Sequence, residues 1–348
     1  MQGMSVNFVI KELDDSGHAA WDAYVERCPT ATFFHRAGWR TVIEKGLGHK
    51  AYFLYAERDG EICGVLPLGN IKSLMFGNAL TSTPYMVYGG VAANDRDAAN
   101  ALVEAGKSLS ESLNVDYMEL RHIDPQSDDL LRKDGMYVTF RKSIDPDIEQ
   151  NMLNIPRKQR AMVRKGIKAG LVSEIDSDID RFYDAYCYSY QQLGTPVQGK
   201  DYFLILRDVF GNDCEIMTVT IEDQPVASVM SFYFRDQVLP FYAGSQVLAR
   251  KYKAHDFMYW ELMRRACERG LKVFDYGRSK MDTGSYSFKK NWGFEPEPLH
   301  YEYYLVNAKE LPNVSPTNPK YQLFIKAWQR LPIAVTKMVG PWLAKNLP

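Results

Sequence analysis

The order of predicted hairpins, helices and strands in the first half of the chain recurs in the second half. Each half contains an apolar hairpin with a polar turn, at Asp59 in one half and at Asp223 in the other. An aromatic-glycine strand, at 85–92 and at 239–244, is then followed by a helix and an apolar strand. The matching features lie about 160 residues apart, which indicates an internal duplication. Two unrelated α/β segments are the alternative.

The length of the chain allows two domains. With 348 residues, each half can form a core of its own. We assign 1–145 to a first domain and 146–310 to a second, each built from alternating helix and strand patterns and therefore of the α/β class. Residues 311–348 form a basic helical tail, which begins with a linker rich in Pro, Asn and Ser at 312–319.

The composition limits which kinds of partner and which cellular compartment we expect for this protein. The formal net charge is -1, so an anionic partner must be bound locally rather than by a global field. The five cysteines form no CxxC pair and the histidines have no metal-ligand spacing, so we predict a reducing compartment and no metal site. We see no secretory signal and no apolar run of about 18 residues. We therefore expect a cytoplasmic protein.

Short motifs in both halves carry a resemblance to a known family. They are ATFFHRAGW at 31–39, GVLPL at 64–68, YGG at 88–90, FDYG at 274–277 and GSYSFKKNWG at 284–293. These motifs resemble those of the FemA/FemB/FemX family of peptidoglycan-bridge aminoacyltransferases, over roughly residues 20–305. The run IPRKQRAMVRK at 155–165 is similar to a bacterial subgroup associated with exopolysaccharide and PEP-CTERM/exosortase loci.

The resemblance implies a fold and an activity. The fold is two tandem GNAT-like (N-acyltransferase) domains, each a mixed β-sheet flanked by helices. The chain lacks the long coiled-coil arm of FemA and FemB, so its plan is closer to that of FemX. The implied activity is transfer of an aminoacyl or acyl group to an amine of a nucleotide- or lipid-linked peptidoglycan or exopolysaccharide precursor. A coenzyme A-dependent N-acetyltransferase acting on an exopolysaccharide amino sugar and a catalytically inactive scaffold for polysaccharide assembly are the alternatives.

The resemblance also singles out a lysine. In FemX-like enzymes the lysine of a Phe-Lys segment lies at the reaction centre, and Lys289 occupies the matching position after a predicted turn. A fixed cation there can stabilise the developing oxyanion. Lys290 is an adjacent alternative, and a solvated charge is the alternative to a catalytic one. We assign Tyr286 to catalysis and Phe288 to substrate binding, because both flank this lysine.

Three further candidates lie within predicted strands or at their ends. Asp275 and Arg278 lie at a strand end, where open α/β sheets place their ligands. Asp275 can accept a proton or orient the amine, and Arg278 can hold a phosphate; a structural pair between the two is the alternative. The resemblance places Tyr242 in the acceptor pocket, with a role in the aromatic core as the alternative.

A basic helix after Pro156 is the second informative feature. The spacing of Arg157, Arg160 and Arg164 places them on one face, where guanidinium groups can bind a diphosphate or a tRNA backbone. A solvated charged face is the alternative. We expect Arg40 of the first domain to contribute to the same site.

The sequence at 249–255 bears on the acyl donor. Acetyltransferases cradle the coenzyme A pyrophosphate with a glycine-containing loop, whereas 249–255 reads ARKYKAH without glycine. We therefore expect no permanently bound cofactor and favour aminoacyl-tRNA over a coenzyme A thioester as the donor.

The tail is basic and interleaved with aromatic residues. It can lie on the inner face of the membrane, or it can pack on the second domain.

Overall fold

The computed structural model describes residues 8–73, 77–127, 129–312 and 319–346, so most of the predicted linker at 312–319 lies outside the described residues. The elements of residues 8–133 are, in chain order, β1 Val9–Glu12, α1 His18–Arg27, a 3-10 turn Phe33–His35, α2 Gly38–Thr41, a π-helical turn Val42–Leu47, β2 Lys50–Arg58, β3 Glu61–Ser73, β4 Gly77–Ser82, β5 Ala92–Ala93, α3 Arg96–Ser112, β6 Tyr117–His122 and β7 Leu131–Lys133.

The second half contains more helices than the first. Its elements are β8 Tyr137–Ser143, α4 Ile148–Asn154, α5 Arg157–Lys168, β9 Val172–Ile175, α6 Asp180–Leu193, α7 Lys200–Phe210, a 3-10 turn Gly211–Asp213, β10 Cys214–Ile221, β11 Gln224–Phe234, β12 Gln237–Ser245, α8 Ala249–Tyr252, α9 Ala254–Glu268, β13 Val273–Asp275, β14 Ser279–Lys280, α10 Gly284–Asn291, β15 Pro296–Pro298, β16 His300–Leu305, α11 Pro319–Trp328 and α12 Ile333–Ala344.

The strands form two separate mixed sheets. The first has the order β1-β2-β3-β4-β6-β16-β7, with β5 beside β3. The second has the order β14-β8-β13-β12-β11-β10-β9, with β15 beside β8. In each sheet one parallel pair follows a helical crossover: α3 connects β4 to β6, and α8 and α9 connect β12 to β13. The expectation of two α/β units, each with a mixed sheet flanked by helices, is confirmed.

The two predicted hairpins are confirmed, and their turns share one conformation. Asp59 and Gly60 both have positive φ, as do Glu222 and Asp223 in the second hairpin. Two successive residues with positive φ match the right-handed twist of the flanking strands. Each unit therefore contains the hairpin that the duplication predicted.

The predicted strand at 85–92 is wrong, since only Ala92–Ala93 pair as β5. Tyr85 has a φ of 69°, which breaks an extended run. The amides of Gly89 and Gly90 instead donate to the carbonyl of Arg121 on β6. The counterpart of β12 in the first unit is thus β4, and the match of Tyr88 with Tyr242 does not hold.

The two compact units differ from the expected boundaries. The first unit contains 1–136 and 298–314, and the second contains 137–297 and 315–345. Residues 137–145, which we expected in the first domain, include β8, which pairs with β13. Residues 300–305 form β16, which pairs with β6 of the first unit. Pairing between strands so distant in sequence leaves no local pattern to read.

The tail packs on the second unit. The side-chain amide of Gln191 on α6 donates to the carbonyls of Gln329 and Leu331, both at 2.9 Å. Lys337 pairs with Asp184 at 2.5 Å. Helix α12 continues through Pro341, although a proline in a helix interior removes a main-chain hydrogen bond. Among the described residues, no helix has both the length and the apolar character needed to cross a bilayer.

Candidate functional site

Lys289 lies on a helix rather than after a turn. Helix α10 begins at Gly284, where the hydroxyl of Thr283 accepts from the amide of Tyr286, as an N-cap residue does. The side chain at 289 points inward and is only 9% exposed, whereas Lys290 is exposed. The expectation of a turn is therefore wrong. Burial separates the two adjacent lysines that the sequence left as alternatives.

Main-chain carbonyls and aromatic rings surround the Lys289 ammonium. It donates to the carbonyl oxygens of Gly277 at 2.9 Å and of Arg278 at 3.0 Å. The rings of Phe140 and Tyr276 lie with their centroids 5.6 Å and 6.0 Å from Nζ. An ammonium has three N–H donors, so these two carbonyls leave one for another acceptor.

The surroundings of Lys289 change its protonation. Burial lowers the pKa of Lys289 from 10.5 to about 7, although Asp275 acts in the opposite direction. Arg278 adds a smaller lowering effect. A lysine with such a pKa can exchange a proton at neutral pH, which is a property of groups that take part in chemistry.

Asp275 ends β13 and is 2% exposed. Its Oδ1 accepts from the amide of Gly277 at 2.7 Å and from the hydroxyl of Thr139 on β8 at 3.4 Å. These contacts orient a buried carboxylate that acts electrostatically on Lys289. Asp275 and Lys289 are thus brought together at the carboxyl end of the parallel pair β12–β13.

The other candidates of α10 and its loop surround this pair. The ring of Tyr286 packs edge-on against Phe140, with centroids 5.5 Å apart. The guanidinium of Arg278 lies 4.7 Å from the ring centroid of Tyr137. Phe288 packs on Tyr259 and contributes to the core of the second unit.

A buried carboxylate that we did not predict holds α10 in place. Asp256, in the first turn of α9, accepts from the indole of Trp292 at 3.1 Å and from the side-chain amide of Gln159 at 2.8 Å. Trp292 caps α10 and Gln159 lies on α5, so one carboxylate joins three helices. Burial raises the pKa of Asp256. A single aspartate in an apolar helix gave no sequence signal for this role.

Tyr242 is buried among aromatic residues of the second unit. Its hydroxyl lies 2.9 Å from that of Tyr202, and its ring packs edge-on against Phe203 and Tyr186. Burial raises the pKa of Tyr242 well above its ordinary value. The residue therefore lies in the aromatic core, next to the strand β11 that pairs with β12.

The basic helix α5 presents a cationic surface. A concavity of about 460 Å³ is lined by Arg157, Arg160, Ala161, Arg164, Lys165 and Lys168. The predicted shared face of the three arginines is therefore present. Within the described part of the chain, none of the five cations in this lining forms an ion pair. Arg40 lies in the first unit, where its guanidinium is compensated by Asp15 at 2.6 Å and Glu44 at 3.7 Å.

The two units differ at the helix that precedes the parallel strand. In the first unit, the carboxylate of Asp95 accepts from the amide of Ala98 and pairs with Arg58 at 2.8 Å. This carboxylate occupies the start of α3, where an anion would otherwise bind. In the second unit, α9 starts at Lys253 without a side-chain cap. Lys253 has a φ of 60°, a conformation that glycine adopts more readily.

Comparisons with known proteins agree with this architecture. Residues 154–290 match the family described as Acetyltransferase (GNAT) domain. The crystal structure of FemX is 16% identical, with a TM-score of 0.66, over 91% of this chain and 100% of FemX. A tandem GNAT protein from the clavulanic acid biosynthesis pathway is 10% identical, with a TM-score of 0.56, over 86% of this chain and 98% of its own.

A third structure extends the comparison. The C-terminal domain of a putative lysylphosphatidylglycerol synthetase from Agrobacterium fabrum is 12% identical, with a TM-score of 0.56, over 83% of this chain and 91% of that domain. No curated protein matches the sequence at a significant level. Residues 154–290 thus form a GNAT-fold domain, and the chain as a whole has the fold of FemX and of tandem GNAT proteins.

Proposed function

We propose that the protein is an acyltransferase that moves an aminoacyl or acyl group to an amine of a nucleotide- or lipid-linked cell-envelope precursor. The observation that carries this proposal is the buried Lys289, which lies with Asp275 at the carboxyl end of the parallel strands of the second unit. The fold shared with FemX, and the motifs that resemble the FemA/FemB/FemX family, support an envelope precursor as the acceptor.

The site suits amide formation. The acceptor amine attacks the carbonyl carbon of the donor ester, so that a C–N bond forms and a negative charge develops on the carbonyl oxygen. The remaining N–H of Lys289 donates to that oxygen, which is worth about 3 kcal/mol by comparison with a lost oxyanion-hole donor. Asp275 orients the amine or accepts its proton. The C–O bond of the ester then breaks, and the leaving oxygen takes up the proton.

The second unit is the better place for this chemistry. Parallel pairing of β12 with β13 covers only Gln237 with Val273 and Val238 with Phe274. In the first unit, Gly89 and Gly90 bond to the carbonyl of Arg121, just beyond the paired residues of β4 and β6. Main chain therefore occupies the position that a ligand would need there. The match to the GNAT family also falls on the second unit.

Aminoacyl-tRNA is the proposed donor. The arginines of α5 provide uncompensated guanidinium groups, which fit a phosphate backbone. The start of α9 has no glycine and carries Asp256 in its first turn, which suits the pyrophosphate of coenzyme A poorly. A coenzyme A thioester remains the second candidate, because residues 154–290 match an acetyltransferase family. The melting temperature of the protein with bulk aminoacyl-tRNA and with acetyl-coenzyme A separates the two donors.

Mass spectrometry of envelope precursors tests the function. Precursors are extracted from cells that express the protein and from cells that lack it. The proposal predicts a precursor that gains the mass of one or more amino acids only in expressing cells. A gain of one acetyl group would instead assign the coenzyme A-dependent reaction. Identical precursor masses in both strains would remove acyl transfer to the envelope as the function.

A further inference from the structure

Helix α12 places its small residues inward and its large apolar residues outward. Thr336, Gly340 and Ala344 are buried, and Gly340 packs so closely on Val197 that an added Cβ would lie 2.7 Å from it. On the outer side Met338 is 75% exposed, and Trp342, four residues later, is 59% exposed. A surface helix whose outer side faces only water carries its large apolar residues on the inner side and polar residues on the outer side. The outer side of α12 therefore has the composition of a contact surface.

Helix α11 also carries exposed apolar side chains. Leu323 is 78% exposed, and the half-exposed ring of Phe324 stacks on the buried Trp328 with centroids 5.6 Å apart. The helix is thus anchored through Trp328 and carries two large apolar side chains outward. Four such side chains within two short helices exceed the single exposed residues that are normal on a water-facing surface.

The charge of the tail favours an anionic partner for this surface. Residues 311–348 contain Lys320, Lys326, Arg330, Lys337 and Lys345 but no Asp or Glu. Lys326 on α11 and Arg330, two residues past the end of α11, are both exposed. Lys337 is turned to α6, where Asp184 compensates it. Within the tail itself, the exposed charges that accompany the apolar side chains are therefore all positive.

We infer that α11 and α12 form a docking surface for an anionic lipid membrane. Apolar side chains enter the headgroup region while lysine and arginine contact anionic headgroups, as in interfacial helices. A second copy of this chain fits less well, because a symmetric contact would bring the cations of both copies together. The inference rests on the tail alone and holds whichever acyl group the protein transfers.

Vesicle co-sedimentation of the full chain tests this inference. Vesicles of phosphatidylcholine mixed with phosphatidylglycerol are compared with vesicles of phosphatidylcholine alone. We expect binding to the anionic vesicles, weakened at least tenfold, an order-of-magnitude estimate, by the double substitution Met338→Ser/Trp342→Ser. Lys326→Glu/Arg330→Glu should weaken it about fivefold or more per cation. Leu153→Ser, which removes an exposed leucine from α4, is the matched control and should bind as the wild type does.

The results of these binding experiments either support or contradict the membrane surface. Binding lost in both tail variants, with unchanged melting temperatures, supports the membrane surface. Equal binding to neutral and anionic vesicles, or no binding to either, overturns it. If sedimentation velocity instead shows a concentration-dependent dimer that Met338→Ser/Trp342→Ser abolishes, the surface belongs to a second copy and the inference is wrong.

Discussion

The ammonium of Lys289 donates to the main-chain carbonyl of Gly277 over 2.9 Å, across the turn that follows β13. Gly277 has a φ of 66°, and its own amide donates to Asp275. One residue therefore holds both the cation and the carboxylate of the candidate site through its main chain. The geometry of this turn, rather than a direct contact between side chains, sets the distance between the two charged groups.

The protonation of Lys289 gives a pH dependence. Because burial lowers its pKa to about 7, the side chain is an ammonium below that pH and a neutral amine above it. If the ammonium stabilises the oxyanion, its contribution is full at lower pH and is lost as pH rises through 7. The ratio of wild-type kcat to that of Lys289→Met should therefore fall across this range. A ratio that rises with pH would assign Lys289 as a base instead.

The arginines of α5 should govern binding of a phosphate backbone. Replacing Arg157 and Arg164 by Ala removes two of the cations that line the concavity. We expect the affinity for bulk tRNA to fall and the slope of log K against log salt to decrease by about one for each lost contact. Filter binding at several salt concentrations measures both quantities.

Lys158 provides the matched control for these arginines. It lies on the same helix and is exposed, but it does not line the concavity. Lys158→Ala should therefore leave the salt slope close to that of the wild type. An equal loss of affinity for each charge removed, in the arginine variant and in Lys158→Ala, would mean that α5 acts only through its total charge.

Asp256→Asn should loosen α10. The substitution keeps the shape of the side chain but weakens the acceptor of both the Trp292 indole and the Gln159 amide. We expect a loss of about 1–3 kcal/mol in the free energy of unfolding, measured by urea titration. Asp208→Asn, at an exposed position of α7, should change it little. A stability equal to that of the wild type would show that the three-helix contact is not stabilising.

Local chemistry decided which parts of the fold could be predicted. The hairpin turns at Asp59 and Asp223 follow from residues that tolerate positive φ, and the structure has both. The strand at 85–92 was wrong because Tyr85 has a positive φ and the amides of Gly89 and Gly90 donate to the carbonyl of Arg121 instead of forming a ladder. The membership of β8 and β16 in their sheets depends on pairing over long sequence separations, which periodicity does not record.

Some features of the candidate site could likewise be predicted from local sequence, and others depend on residues distant in the chain. The sequence motif left Lys289 and Lys290 as adjacent alternatives, and burial among Phe140 and two main-chain carbonyls distinguishes Lys289 from the exposed Lys290. Thr139 and Phe140 come from β8, about 150 residues earlier in the chain, so no motif could have joined them to α10. The shared face of the α5 arginines needed only helical spacing and could be predicted.

Turnover of Lys289→Met beside Lys290→Met tests the central claim most directly. The two lysines are adjacent on α10, and only Lys289 is buried with its ammonium on two carbonyls. With the donor and the precursor identified by mass spectrometry, we predict that kcat falls by about 10²–10³-fold in Lys289→Met and stays near the wild-type value in Lys290→Met. Melting curves show that both variants are folded. A wild-type kcat in a folded Lys289→Met protein would contradict the account.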